Sequence, residues 1–270
     1  MKTSKEDFVA YLKQKNLAEN TIRAYQMAYQ QYEENYGRVS RGNLLKYKDF
    51  LMGQYKPKTV NLRLRAINCY LEYEGKEQWK LSLVKIQQKT YLENVISDAD
   101  YFYLKNCLRQ DKEWFWYFVV HYLAATGARV SELVQIKAEH VQVGYLDLYS
   151  KGGKMRRIYI PERLRNETLQ WLENTGQKSG FLFLNKKGRQ ISTRGIYGQL
   201  KYYAKKYGIP EEVVYPHSFR HRFAKNFLEK YQDIALLADL MGHESIETTR
   251  IYLRKTSMEQ KSIVDRVVDW

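Results

Sequence analysis

The sequence is poor in cysteine and has no long apolar run. Of its 270 residues only two are cysteines, Cys69 and Cys107, which lie far apart without a CxxC partner, so neither a zinc site nor a secreted disulfide framework is supported. The longest apolar run, WFWYFVVHYLAA, is interrupted by His121 and is too short to span a bilayer. The N-terminal MKTSKEDF lacks the apolar core of a signal peptide. We therefore expect a cytoplasmic protein with no membrane partner.

Acidic residues are outnumbered along the whole chain. There are 45 Lys and Arg against 30 Asp and Glu, which gives a formal charge of +15. Residues 1–90 hold 17 basic and 9 acidic residues, and the remainder holds 28 and 21. Because each phosphate that Lys or Arg neutralises releases condensed counterions, this distribution suits a protein that surrounds a polyanion. The charge favours nucleic acid as the partner but does not establish it.

Residues 1–90 are predicted to form a helical bundle. Apolar residues recur every three or four positions in TIRAYQMAYQQYEENYG and in PKTVNLRLRAINCYLEYEG. Each segment ends at a glycine, and the second begins with Pro57. The basic residues of this part suit either a solvated surface or a face that lies on phosphates, and the pattern leaves both possibilities open.

Residues 91–270 are predicted to form a second, mixed domain. LSLVKIQQKTYLENV, at 81–95, loses the helical period and is the predicted linker. After two helical segments, YLDLYS and RRIYIP flank the turn KGGK as an antiparallel hairpin, and FLFLNKKGRQIS predicts another. Helices resume near residue 194. The predicted fold class is mainly α with a small antiparallel β-sheet, a helical bundle followed by an α+β domain.

The stretch YPHSFRHRFAKNF contains two of the five histidines beside two arginines. Pro216 favours a helix start. The predicted buried stripe consists of phenylalanines at every fourth position, Phe219, Phe223 and Phe227. His217, Arg220 and His221 fall on a different face, where a cationic cluster near a helix N-terminus is unfavourable unless an anion binds. A solvated basic face is the competing interpretation.

ATGARVSEL and SKGGK offer further basic groups. Gly127 closes one predicted helix, and Arg129 begins the next, where its planar fork could bind two phosphate oxygens. Glu132 could hold that guanidinium, although an Arg and Glu three residues apart are most often a surface pair. Lys151 and Lys154 flank a tight turn, which by itself is typical of an exposed basic loop.

The segment LLADLMGHESIETTRIYLR predicts two helices separated by Gly242, with Ser245 as a cap for the second. His243 and Tyr252 lie nine residues apart within it. The same pattern of helix, glycine turn and helix is also typical of a helix-turn-helix DNA reader, so the segment alone supports either a reader or part of a catalytic site.

Taken together, these groups suit phosphodiester transfer without a metal or cofactor. Fixed guanidiniums stabilise the charge that gathers on the non-bridging oxygens. A tyrosine hydroxyl, with an ordinary pKa of about 10, needs cations or a base to become a nucleophile. A lysine can protonate the departing 5′-oxygen. The sequence contains no dense carboxylate cluster of the kind that two-metal nucleases use.

Over nearly its full length the chain resembles the tyrosine recombinases, also called the phage integrase family. Four blocks agree in order and spacing: ATGARVSEL, SKGGK, HSFRH and LMGHESIETTRIY. The resemblance implies a core-binding helical domain in 1–90 and a catalytic domain in 91–270. It implies the two-domain type, without the arm-binding domain of lambda-type integrases.

The resemblance implies roles for three basic residues. Arg129 and Arg220 would clamp the scissile phosphate. Lys151 would protonate the leaving oxygen, with Lys154 as the competing candidate. Glu132 is similar to the supporting acidic residue of the family.

It also implies roles for His217 as the general base or its equivalent, His243 as the second histidine that bonds the phosphate, and Tyr252 as the nucleophile. Two departures accompany these matches. Phe219 stands where the family often has leucine, and Arg222 stands where a small residue is usual.

The implied function is site-specific recombination of double-stranded DNA through a 3′-phosphotyrosyl intermediate and a Holliday junction, by a homotetramer on DNA. Integration, excision, inversion and resolution all remain open, as do accessory DNA-bending proteins. The implied location is the nucleoid of a prokaryote or a mobile-element host. A non-catalytic DNA-binding regulator and a type IB topoisomerase are the alternatives. The apolar tail KSIVDRVVDW is expected to dock on a neighbouring protomer or on its own domain.

Overall fold

The computed structural model describes residues 5–86, 93–149, 155–254 and 257–268. The chain divides into two compact units, Met1–Gln88 and Lys89–Trp270. The described residues are mostly helical and contain a two-stranded antiparallel sheet, which confirms the predicted fold class. Within these residues, no helix is both long and apolar enough to cross a membrane.

Among its described residues, the first unit contains four α-helices, followed by a 3-10 turn at Glu77–Trp79. They are α1 (Lys5–Gln14), α2 (Glu19–Tyr36), α3 (Arg41–Gln54) and α4 (Pro57–Tyr73). Tyr32, Tyr47 and Leu64 lie in its buried core, where the Tyr32 and Tyr47 rings meet edge to face at 5.2 Å. The periodic apolar residues thus form the predicted bundle, and α4 begins at Pro57 as expected.

The first part of the predicted linker is bound to α4. The Asn68 side-chain amide donates to the carbonyl of Leu81 (2.9 Å) and accepts from its N–H (2.8 Å). Asn61 makes the same pair of bonds with Val84, both shorter than 3.0 Å. Two turns apart on one helix, these amides satisfy the backbone of an extended segment. The division between the two units falls after Gln88, within the predicted linker. Its residues 81–84 are bound to α4, and residues 87–92 lie outside the described part.

The second unit contains ten α-helices and two β-strands among its described residues. They are α5 (Asp98–Gln110), α6 (Trp114–Thr126), α7 (Val130–Leu133), α8 (Ala138–Val143), β1 (Tyr145–Tyr149), β2 (Met155–Tyr159), α9 (Glu162–Thr175), α10 (Thr193–Lys206), α11 (Pro216–Tyr231), α12 (Ile234–Met241), α13 (Ile246–Arg250) and α14 (Ser257–Val267). Helix α6 lies at the centre of the core, with Val119, Val120 and Leu123 fully buried. A 3-10 turn at Ile251–Leu253 follows α13.

The two predicted hairpins have different outcomes. Strands β1 and β2 pair antiparallel, from Tyr145 opposite Tyr159 to Tyr149 opposite Met155. The second stretch closes on itself through the Ile191 N–H and the Phe183 carbonyl (3.0 Å), but it forms isolated bridges and not a named strand pair. Part of its backbone bonds elsewhere, since the Leu182 N–H donates to the Ile136 carbonyl at 2.8 Å.

The turn after α6 is sterically closed to any side chain. Gly127 has a φ of +61°, and a Cβ there would lie 2.5 Å from Cδ1 of the Phe223 ring. Gly127→Ala is therefore expected to cost about 1–3 kcal/mol in the free energy of unfolding, from strained backbone and overpacking. Urea unfolding followed by circular dichroism measures the change.

Gly198→Ala is the matched control. Gly198 lies within α10, and a Cβ there would meet nothing within 4 Å. Because alanine is the better helix former, this variant is expected to gain about 0.5–1 kcal/mol. A Gly127→Ala protein as stable as the wild type would contradict the tight packing of this turn.

Candidate active site

The structure brings five of the six predicted site residues together in the second unit. Arg129 begins α7, His217 and Arg220 lie in the first turns of α11, His243 follows α12, and Tyr252 lies in the 3-10 turn. One nitrogen of Arg220 lies 2.9 Å from Nε2 of His243, whose ring stacks on Tyr252 with centroids 6.0 Å apart. Elements distant in the chain thus form one cluster.

The hairpin lysines cannot be placed in this cluster. Lys151 and its competitor Lys154 lie outside the described residues. The strands on either side are described, and β2 contributes Arg156 to the surroundings of the cluster.

Arg220 is buried, which contradicts the competing interpretation of a solvated basic face. Its side chain is among the largest that are fully buried, at 1% exposure. One guanidinium nitrogen donates to the Gly127 carbonyl (2.5 Å) and the other to the Met241 carbonyl (2.7 Å). These carbonyls lie at the C-terminal ends of α6 and α12, where a cation is favourable. Burial lowers the pKa of Arg220 to about 10, so the group remains charged at neutral pH.

The predicted buried stripe of α11 is divided between two clusters. Phe219 belongs to the main core, whereas Phe223 and Phe227 are partly buried and pack against the smaller cluster that contains Tyr252. Helix α11 therefore joins the main core to the C-terminal segment, and it carries Arg220 between them.

Arg129 is oriented by a buried carboxylate. Glu132 accepts from the Arg129 backbone N–H (2.7 Å) and from its guanidinium (2.8 Å). A second guanidinium nitrogen of Arg129 donates to the Gly242 carbonyl at 3.1 Å. Burial opposes ionisation of Glu132, but Arg156 and Arg129 together hold its pKa below the ordinary value. The pair is thus part of a network and not the isolated surface pair that the spacing alone suggests.

The bonds of His243 determine its protonation. Arginine can only donate, so Nε2 of His243 accepts from Arg220. In a neutral ring the proton then lies on Nδ1, which donates to Oγ1 of Thr249 at 2.8 Å. Burial and the neighbouring Arg220 lower the pKa of His243 to about 4. The histidine is therefore neutral at physiological pH.

Tyr252 is a buried, protonated phenol. Only 4% of its surface is exposed, and its ring also lies 5.2 Å from that of His221. Burial raises the pKa of Tyr252, and Arg220 and Arg129 offset part of that rise. The His217 ring meets that of His221 edge to face, with centroids 5.1 Å apart, and desolvation beside Arg220 lowers the pKa of His217. A neutral imidazole has the protonation state that a general base requires, and His221 contacts both the His217 ring and the Tyr252 ring.

Three partly buried histidines make stability pH-dependent. Burial lowers the pKa values of His121, His221 and His243 to about 4, whereas an unfolded histidine titrates at about 6.5. The unfolded chain binds more protons between these values, so the free energy of unfolding is expected to fall as the pH decreases from about 7 to about 5. Urea unfolding at the two pH values measures this slope. His221→Phe removes one such group and should flatten it, and an unchanged slope would contradict the assignment.

Two contributors to the cluster were missed in the sequence. Arg156 and Thr249 bond Glu132 and His243, respectively. Strand alternation was an available signal for the first, because Arg156 shares a strand face with the buried Ile158. Thr249 had no comparable signal.

Arg222, noted as a departure from the family, pairs with Asp98 at 2.7 Å. Among the described contacts of the cluster, none involves Arg222.

In residues 5–86, 93–149, 155–254 and 257–268, no group of three or more His, Cys, Asp or Glu side chains is suited to hold a metal ion.

As the helix-turn-helix pattern predicts, Gly242 separates two helices, α12 and α13. Its turn places His243 against Arg220, so the segment contributes to the cluster whether or not it also contacts nucleic acid.

Known proteins are similar to this chain in sequence and in fold. Residues 103–259 match the phage integrase family. The chain is 33% identical to tyrosine recombinase XerA of Pyrococcus furiosus, covering 97% of this chain and 92% of that protein. It is 28% identical to tyrosine recombinase XerD of Listeria innocua, with 96% of each covered. The structure of the Tn1549 transposon integrase in complex with circular intermediate DNA superposes with a TM-score of 0.72 at 18% identity, over 97% of this chain and 98% of that one. The chain therefore belongs to the phage integrase family and is a tyrosine site-specific recombinase that acts on DNA.

Proposed function

We propose that Tyr252 is the nucleophile that cleaves DNA and forms a 3′-phosphotyrosyl link. The observation that carries this proposal is the convergence of Arg129, Arg220 and His243 beside the Tyr252 ring within one compact unit. The phenol lies where two guanidiniums favour its phenolate. Energy conserved in the link would allow rejoining without a further cofactor.

Arg129 and Arg220 would bind the non-bridging oxygens of the scissile phosphate. Arg220 is fixed by two carbonyls, and Arg129 by Glu132, so little reorganisation is needed as charge develops. In the structure, the nitrogen of Arg220 nearest the cluster donates to His243. A phosphate oxygen would have to replace Nε2 as the acceptor, and His243 would then need a proton on Nε2 to bond the phosphate itself.

Two further residues would transfer protons during the reaction. His217 would act as general base or its equivalent for the Tyr252 hydroxyl, since the lowered pKa leaves its ring neutral at physiological pH. Lys151 would protonate the leaving 5′-oxygen, as the resemblance implies. Lys151 lies in the chain between β1 and β2, and Arg156 of β2 bonds the same Glu132 that holds Arg129.

The remaining functional assignments concern the whole protein on DNA. Residues 1–90 would form the core-binding domain that clamps the duplex, and residues 91–270 the catalytic domain. Four protomers would exchange strands at paired recombination sites through a Holliday junction, in the nucleoid. Val264 and Val267 of α14 are 55% and 61% exposed, which supports docking of this tail on a neighbouring protomer.

The experiment that tests the proposal is covalent trapping. A duplex nicked close to the cleavage site releases a short fragment after cleavage, so rejoining is prevented and the protein stays attached to DNA. We expect an adduct that survives denaturation and whose DNA-bearing peptide contains Tyr252. An adduct at another tyrosine, or specific binding with no adduct, would contradict the proposal. Relaxation of plasmid lacking paired sites would favour a type IB topoisomerase.

A further inference from the structure

Arg156 is a largely buried cation that contacts two separate parts of the site. Its side chain is 9% exposed. One nitrogen donates to Oε2 of Glu132 at 2.5 Å. Nε and another nitrogen donate to the Leu240 carbonyl at 3.1 and 2.9 Å. Strand β2 is thereby tied both to the start of α7 and to the end of α12.

The contact with Glu132 connects Arg156 to Arg129. Glu132 uses one carboxylate oxygen for the Arg129 guanidinium and the other for Arg156 and the Arg129 N–H. Removing Arg156 would leave a buried carboxylate with one cation in place of two, and the geometry that it imposes on Arg129 would loosen.

The contact with the Leu240 carbonyl connects Arg156 to the turn that carries His243. A Cβ at Gly242 would lie 2.3 Å from Cδ of Arg156, so the backbone of this turn lies directly on the Arg156 side chain. The neighbouring carbonyl, that of Met241, accepts from Arg220. One side chain therefore supports the path of the chain through Leu240 and Gly242 to His243.

Arg157, the next residue in the chain, provides a comparison with Arg156. Arg157 lies on the same strand but faces away, and its fork binds both carboxylate oxygens of Asp147 at 2.7 Å. It also covers the Tyr145 ring at 3.8 Å. These contacts stay within the β1–β2 hairpin, so the two adjacent arginines separate hairpin stability from support of the site.

We propose that Arg156 is a positioning residue for the recombination reaction: through Glu132 it fixes Arg129, and through the Leu240 carbonyl it fixes the turn that presents His243. It does this without touching the DNA. The inference rests on the proposed function of Arg129 and His243 at the scissile phosphate. A lysine cannot replace it, because a single ammonium lacks the planar fork that bonds a carboxylate and a carbonyl in fixed directions.

Single-turnover adduct formation on nicked DNA tests this role. We expect Arg156→Met and Arg156→Lys to slow adduct formation about 100-fold, the effect of a misplacement of about 1 Å at the reacting centre. Arg156 positions groups that act in the transition state and does not itself bind DNA. The DNA affinity of these variants should therefore stay within about 3-fold of the wild-type value. Arg157→Met and Arg157→Lys are the matched controls and should cleave within about 3-fold of the wild-type rate.

A double-mutant cycle separates positioning from a general loss of stability. In an Arg129→Ala background, Arg156→Lys should slow adduct formation by clearly less than about 100-fold, since the part of its effect that passes through Arg129 is already lost. Full additivity would overturn the inference, as would an Arg156→Lys enzyme that cleaves at the wild-type rate. If Arg156→Met does not fold, Arg156→Lys and Glu132→Gln are measured in its place. A wild-type protein that forms no adduct would instead refute the proposed function.

Discussion

Tyr252→Phe is expected to form no covalent adduct on nicked DNA while its affinity for that DNA is unchanged. The phenyl ring keeps the stacking on His243, at 6.0 Å and 14° between planes, and the packing among the buried residues of α11 and α12. Only the hydroxyl is lost, and with it the oxygen that we propose attacks the phosphate. Denaturing gels measure the adduct, and mobility shifts measure the affinity.

Another tyrosine provides the control for this result. Tyr231 lies at the end of α11 and is 66% exposed, so Tyr231→Phe should form adduct at the wild-type rate. Any adduct of Tyr252→Phe above background would mean that a different residue attacks the phosphate. That outcome would remove the central assignment while leaving membership of the family intact.

Arg220→Lys is expected to have the second-largest effect. An ammonium cannot donate to the Gly127 carbonyl, the Met241 carbonyl and a phosphate oxygen in the directions that the planar guanidinium provides. Loss of a preorganised donor to developing charge lowers the rate about 100- to 1000-fold, and we expect single-turnover cleavage to fall by that factor. Leaving a buried carbonyl unpaired should also cost about 1–3 kcal/mol of stability.

Arg222→Lys is the matched control, because Arg222 lies on the same helix and is also buried. Its partner is Asp98, outside the cluster, so its loss should lower stability and leave cleavage within about 3-fold of the wild-type rate. An Arg220→Lys enzyme that cleaves as fast as Arg222→Lys would contradict the role of Arg220 in the clamp.

The helices and the order of the site blocks were predictable because they depend on local signals. Pro57 and Pro216 both begin helices, and Gly127 and Gly242 both end them with positive φ. Such features follow from the conformational limits of proline and glycine. They place each candidate residue on its element without any knowledge of tertiary structure.

The burial of Arg220 could not be predicted in this way. Its acceptors are carbonyls of Gly127 and Met241, 93 and 21 residues away in the chain. Since backbone carbonyls carry no sequence signature, the pattern around α11 indicated an exposed cation. The same reason explains why the hold of Asn61 and Asn68 on residues 81–84 was missed: each amide binds whatever backbone is nearby.

Because Arg129, Arg220, His243 and Tyr252 all belong to one compact unit, every copy of the protein carries its own set of these groups. The phenol and the arginines beside it therefore meet within a single copy of the chain, without a contribution from a neighbour.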